Sequence, residues 1–200
     1  MKHVIVLLGL MAFVSCSSFK AERVGAKESD KKAMGITDNW VSEDTRQAIE
    51  EILKQMDTHK GFKKALRRYR DPKLFVAEVQ NNTSEAYFPI GDMNDELLYE
   101  LSRAGDFTLI DAAAREKILE EITYQNDGMV DPAQAKQIGK QYGADLMIFG
   151  NVYMKPEKRD GKTIKEYSVN LRITDIQKGI EIFRGRKKVY KYSDKASFGW

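Results

Sequence analysis

Apolar and polar positions change period several times along this chain. Val4 to Val14 is an unbroken apolar run of eleven residues. From Ser17 to Thr37 the chain is polar and charged, with no helical or strand period, which predicts a flexible tether. Ser42 then stands where it can cap a helix. Ala48, Ile49, Ile52, Leu53 and Met56 share one face of that helix, and Glu43 and Asp44 suit its positive end. Phe62, Leu66 and Tyr69 mark a second, shorter helix stopped by Asp71-Pro72. Lys73 to Gln80 is apolar on both faces, as a central strand must be. After a turn at Asn81-Asn82-Thr83-Ser84, Asp92 is expected to cap a helix with Asp95 three residues on. Leu97, Leu98 and Leu101 form its buried stripe and Gly105 its end.

The second half repeats these signals. Phe107 to Ile110 reads as a short strand and Ala112 to Ile122 as a helix closed by Asn126-Asp127-Gly128. Asp131-Pro132 starts another helix, which stops at Gly143. Asp145 to Lys155 is a buried strand, and Asp160-Gly161 marks a hairpin. Thr163 to Asp175 alternates well: Tyr167, Val169, Leu171 and Ile173 on one face, Glu166, Ser168, Asn170 and Arg172 on the other. Lys178-Gly179 turns the chain into a last strand, Ile180 to Tyr190. There is no internal repeat. The order predicts one α/β two-layer sandwich: helices over one face of a mixed sheet whose C-terminal half is an antiparallel meander.

The amino-terminal run changes where this domain is expected to work. Eleven apolar residues behind Lys2 and His3 are too few to span a bilayer, which takes about 20, but suit a signal-peptide core. The run ends in Phe13-Val14-Ser15-Cys16, which resembles a bacterial lipobox. That resemblance implies cleavage before Cys16, diacylglycerol on its thiol and a palmitoyl group on the new amino terminus. Ser17, where an Asp would favour the inner membrane, points to an outer-membrane lipoprotein facing the periplasm. Cys16 is the only cysteine of the chain. The expected organisation is a signal peptide over residues 1–15, a tether over 16–37 and the α/β domain over 38–200.

Composition narrows the chemistry. Lys and Arg number 33 against 30 Asp and Glu, a net charge of +3, which argues against a nucleic-acid binder. A single cysteine excludes a disulfide framework and a Cys-rich zinc site. Beyond His3 the only histidine is His59, expected on the surface, so acid–base or metal chemistry has little to use. No GxxxxGK loop and no HExxH occur. Asp92 to Glu96 glances at a calcium loop but lacks its glycine and distal Glu, and the many carboxylates read as solvated helix faces rather than glycosidase pairs. No catalytic residue, cofactor or metal is expected. Two basic clusters remain: Lys63, Lys64, Arg67, Arg68, Arg70, and Arg184, Arg186, Lys187, Lys188, Lys191. The second either guards an edge strand or, like the first, forms a docking surface for an acidic protein or an anionic envelope polymer.

Several short stretches resemble the LpoB-type penicillin-binding-protein activator lipoproteins. They are Asp38-Asn39-Trp40 before Asp44-Thr45-Arg46, then Val79 to Ser84, Leu101 to Phe107 with Asp111, and Val130 to Ala133. Gly139 to Asp145 with Gly150 and Asn170 to Asp175 close the series. The resemblance implies an outer-membrane lipoprotein that binds and activates a bifunctional peptidoglycan synthase of the inner membrane. It also implies a fold like the N-terminal domain of TolB, and no catalytic residues. The long Pro-rich linker of such proteins has no counterpart here, since the chain has four prolines in all. The alternative weighed is an envelope assembly or secretion role like that of CsgG-type lipoproteins. Such a pore needs apolar membrane strands, and the hairpin around Asp160-Gly161 is charged in its lower half.

Overall fold

A computed structural model describes residues 21–110 and 143–194. Cys16 and the helices expected over 112–122 and 131–142 lie outside the described residues. The elements in chain order are α1 (Ala26–Ile36), α2 (Ser42–Thr58), α3 (Lys60–Leu66), β1 (Lys73–Asn82), α4 (Ile90–Ala104), β2 (Thr108–Leu109), β3 (Leu146–Arg159), β4 (Lys162–Asp175) and β5 (Ile180–Asp194). The five strands form one sheet in the order β2-β1-β3-β4-β5. β1 pairs in parallel with both β2 and β3, while β3, β4 and β5 form the antiparallel meander. This is the mixed α/β sandwich expected from the sequence pattern.

Alternation decides which face is packed. Ile148, Val152, Tyr167, Val169, Leu171 and Ile173 point to the helices and meet Ala48, Ile49, Ile52 and Met56 of α2 and Met93, Leu97 and Leu101 of α4. On the opposite face Phe75, Ala77, Met147, Phe149 and Ile176 form a second, smaller buried cluster, because β1 and the start of β3 are apolar on both sides. Beyond that cluster the outward side of β3, β4 and β5 is polar. β1 bulges between Val76 and Val79, and the N–H freed there donates to Asn94 Oδ1 of α4 at 2.7 Å.

Several expected boundaries move, each for a local reason. The stretch 17–37 contains a helix after all. Lys32 pairs with Glu28 one turn back (3.1 Å) and with Glu22 (2.5 Å), and α1 buries no residue, so no apolar stripe betrays it. α2 is capped by Val41 rather than Ser42: the Val41 N–H donates to the Asp44 carboxylate at 2.9 Å, and Ser42 is the first helical residue. α4 starts at Ile90 behind Pro89, which places Asp92 inside its first turn rather than at its cap. Gly105 ends α4 in the left-handed conformation (φ 71°), as expected. Tyr69 lies beyond α3 and donates its hydroxyl to Asp175 at 2.7 Å. β3 and β5 run on to Arg159 and Asp194, since the Asp160-Gly161 turn, with φ of 47° and 79°, keeps the ladder in register to its tip.

The first residues of the domain clasp the sheet near that tip. Asp38 accepts from Ser193 Oγ at 2.6 Å and pairs with Lys165 at 3.2 Å; Lys165 also pairs with Glu85 at 3.0 Å. Glu85 in turn accepts from Tyr167 Oη at 2.6 Å. It is held there by the turn before it, where Asn81 Oδ1 accepts from the Thr83 N–H (2.9 Å) and Thr83 Oγ1 from the Glu85 N–H (3.1 Å). Trp40 packs on Phe88 and Tyr167 and donates Nε1–H to Thr45 Oγ1 at 2.8 Å.

These contacts set an acid limit. The Ser193 hydroxyl, aided by Lys165, holds Asp38 below the usual carboxylate range against the cost of burial. Burial pushes Asp175 up, but the Lys178 ammonium and the Tyr69 hydroxyl together outweigh it and hold it low. A depressed carboxylate stabilises the fold above its unfolded value and loses that contribution as pH falls through its folded value. The urea midpoint should therefore be flat near neutrality and fall steeply below about pH 4. Asp38→Asn should lower the neutral midpoint and flatten the acid limb; an unchanged acid limb would contradict this account.

Candidate partner interface

The outward face of β3, β4 and β5 is built from cross-strand rows. Phe149, Arg172 and Arg184 share one row, Asn151, Asn170 and Arg186 the next, and Tyr153, Ser168 and Lys188 the third. Towards the hairpin tip follow Lys155, Glu166 and Tyr190, then Glu157, Ile164 and Tyr192. The first rows line an open groove of about 470 Å³. From the third row to the tip, large side chains stand in water: Tyr190 is 60% exposed, Tyr192 58%, Tyr153 47% and Ile164 43%. Three of them lie on the last two turns of alternation before the hairpin, so the apolar area is contiguous with the basic groove.

The polar groups of the groove hold one another in place. Arg186 Nε donates to Asn170 Oδ1 at 2.9 Å, and Asn170 Nδ2 to Asn151 Oδ1 at 3.3 Å. Lys188 pairs with Glu166 at 2.7 Å and Arg184 with Glu181 at 2.7 Å, and the Arg172 guanidinium lies 4.9 Å from the centre of the Phe149 ring. The Lys188 ammonium holds Glu166 below its usual range, and Glu181 is held low by Arg184. Four cations thus face two carboxylates. The surface is positive but ordered, and it is rich in Tyr and Arg, the residue types enriched where proteins dock.

The edge of β5 is less available than its face. The Gln55 side chain, from α2, donates to the Arg186 carbonyl at 2.9 Å and accepts from the Arg186 N–H at 3.1 Å. One amide therefore occupies both backbone groups that an added strand would need at mid-edge. Further along, α2 meets β5 closely at Gly185, where a Cβ would lie 2.6 Å from Ile52 Cγ2.

The two basic clusters come out differently. The second is divided: alternation sends Arg184, Arg186 and Lys188 outward to the groove, while Lys187 and Lys191 turn to the helix side, where Lys191 pairs with Asp44 at 2.5 Å. The first stays together and exposed on α3 and the turn after it. His59 is exposed and caps α3, accepting from the Phe62 N–H at 2.9 Å on Nδ1. Asp92 gathers no ligand set: among the described residues no group of three or more His, Cys, Asp or Glu is placed to hold a metal. Nor, among them, is any helix long and apolar enough to cross a membrane. Sequence reasoning missed Tyr153, Tyr190 and Tyr192. The period-two pattern from Arg184 to Tyr192, with every even position basic or aromatic, was the signal available.

Comparison with known families decides the lineage. The model of a family described as the peptidoglycan-synthase activator LpoB matches residues 44–189. The chain belongs to the LpoB family. Among solved structures, the LpoB C-terminal domain from Salmonella enterica superposes with a TM-score of 0.53 at 17% identity, covering 73% of this chain and 98% of that one. The NMR structure of Escherichia coli LpoB gives 0.48 at 13% identity, over 96% of this chain and 90% of that one. The lipoprotein GNA1162 from Neisseria meningitidis gives 0.44 at 18% identity, over 64% and 88%. At these identities the likeness to the Salmonella domain establishes the LpoB fold alone. No curated protein matches the chain.

Proposed function

We propose that this LpoB-family chain is an outer-membrane lipoprotein, acylated at Cys16 and facing the periplasm, that binds a bifunctional peptidoglycan synthase of the inner membrane and raises its activity. The observation that carries the reading is the family match over residues 44–189, a span containing most of the outward face of β3, β4 and β5. On this reading the partner docks on that face, with Tyr153, Tyr190 and Tyr192 as the desolvated anchors and Arg172, Arg184 and Arg186 setting register. The domain does no chemistry. It stimulates by binding one synthase conformation better than another, and the gain is bounded by that difference in affinity.

The anchor limits where docking takes place. The eleven residues of α1 span about 16 Å at 1.5 Å each, against roughly 37 Å if extended. The helix therefore draws the domain toward its attachment point. Two or three acyl chains on one residue would hold it there without exchange, since each buried CH₂ adds about 0.8 kcal/mol. Cys16→Ser should move the protein from the outer-membrane fraction to the soluble or inner-membrane fraction, and remove the fatty-acid mass from its amino terminus. An unlipidated native protein, measured by intact mass, would remove the anchor from the account.

A further inference from the structure

The end of the sheet opposite the hairpin tip carries a second charged surface with a different character. Between positions 60 and 73 stand Lys60, Lys63, Lys64, Arg67, Arg68, Arg70 and Lys73 against one carboxylate, Asp71. This segment is net +6 in a chain of net +3, so the other 186 residues together carry −3. All seven cations are exposed. Among the described residues none of their side chains makes an ion pair or hydrogen bond, whereas Arg184, Lys188 and Lys191 are each paired with an acid. The one acid of the segment, Asp71, accepts from the Thr108 hydroxyl at 2.8 Å, and Asp145 beside it accepts from the Lys73 N–H at 3.0 Å. Lys60, Lys63, Lys64 and Arg67 follow one another at helical spacing on the side of α3 away from buried Phe62.

The chemistry of this surface selects its partner. Docking sites for folded proteins have a dry apolar or aromatic centre and are depleted in Lys. Within the segment Phe62 is buried, Leu66 and Tyr69 are half-buried, and no large apolar side chain is exposed. Long, exposed cations, unpaired among the described residues, suit a diffuse sheet of negative charge, where each contributes without fixed geometry. We infer that the Lys60–Lys73 end of the domain binds the headgroup surface of an anionic phospholipid bilayer. The site is separate from the sheet face: Lys73 opens β1 at the end where β3 begins, whereas Tyr192 and Asp38 lie toward the tip. It does not depend on the proposed synthase or on the lipid anchor.

The test uses a leaderless chain beginning at Ser17. It retains the whole described core, which runs from Trp40 to Phe183. Co-flotation is measured with vesicles of phosphatidylglycerol mixed into phosphatidylcholine and with vesicles of phosphatidylcholine alone. Binding to the anionic vesicles only, and release at about 1 M salt, where the screening length shrinks to about 3 Å, is expected. Each cation near such a surface changes partitioning by a factor of about 5, so replacing Lys63, Lys64, Arg67 and Arg68 together by Gln should weaken binding roughly 100-fold or more. Arg184→Glu with Arg186→Glu should leave vesicle binding unchanged, and the matched Lys63→Arg with Lys64→Arg should retain it. Equal binding to both vesicle types overturns the inference. So does loss of binding in the Arg184/Arg186 variant alone, or capture of polyglutamate with no vesicle binding, which would assign the patch to an acidic protein.

Discussion

Reversing Arg184 and Arg186 together to Glu is expected to weaken binding to the synthase roughly 100-fold, about 2.7 kcal/mol, and to abolish stimulation at concentrations where the parent domain saturates. Both side chains lie on the outward face of β5, in adjacent rows of the groove. Neither is part of the core. The substitution breaks the Arg184–Glu181 pair and the Arg186–Asn170 hydrogen bond, and exposed contacts of this kind are worth about 0–1 kcal/mol. The thermal midpoint should accordingly move little while affinity collapses. If affinity survives in a folded double variant, the partner docks elsewhere on the molecule.

The largest effect on stability is expected at Gly150. It sits in β3 opposite Leu171 of β4, and a Cβ there would lie 2.3 Å from the Asn170 carbonyl oxygen and 2.5 Å from Leu171 Cδ2. The first obstacle is backbone in the middle of the β3–β4 ladder, so it cannot turn aside as a side chain would. Gly150→Ala should cost about 3 kcal/mol, the upper part of the usual overpacking range. In a domain of this size that is a fall of roughly 6–12 °C in Tm. Gly91, in the first turn of α4 with open space around it, is the control: Gly91→Ala should be neutral or slightly stabilising. A Gly150→Ala midpoint equal to that of the parent would mean the two strands are less closely paired than described.

How much of this was readable in advance depended on whether burial left a trace in the pattern. β4 was legible because Tyr167, Val169, Leu171 and Ile173 alternate with polar residues over one wet and one dry face. The helix α1 was not, because it is held by Glu28, Lys32 and Glu22 with no buried side. Among the described residues, three of the stretches that carry the family resemblance prove to be clasps of the fold. Asp38-Asn39-Trp40 ties the domain's start to Ser193 and Tyr167, and Asn81 to Ser84 sets Glu85 over Lys165. Gly150 lets β4 approach β3.

The candidate interface was harder to read for a related reason. Tyr190 and Tyr192 stand two residues apart on β5, Tyr153 lies far off in sequence on β3, and only the register of three strands brings them onto one face. The basic run at 184–191 looked continuous in sequence, yet a strand divides such a run between its two faces. Net charge misled in the same way. A balance of +3 hides a segment of +6 between Lys60 and Lys73, because acids such as Glu50, Asp95 and Glu96 collect on the helices.

The most direct test of the account is glycan-strand synthesis by the purified bifunctional peptidoglycan synthase of the same cell, followed as the leaderless chain is titrated in. A saturable rise in turnover is expected with the parent protein and none with the Arg184/Arg186 variant. A rate that stays flat across the titration, with no complex detected between the two proteins, would contradict it.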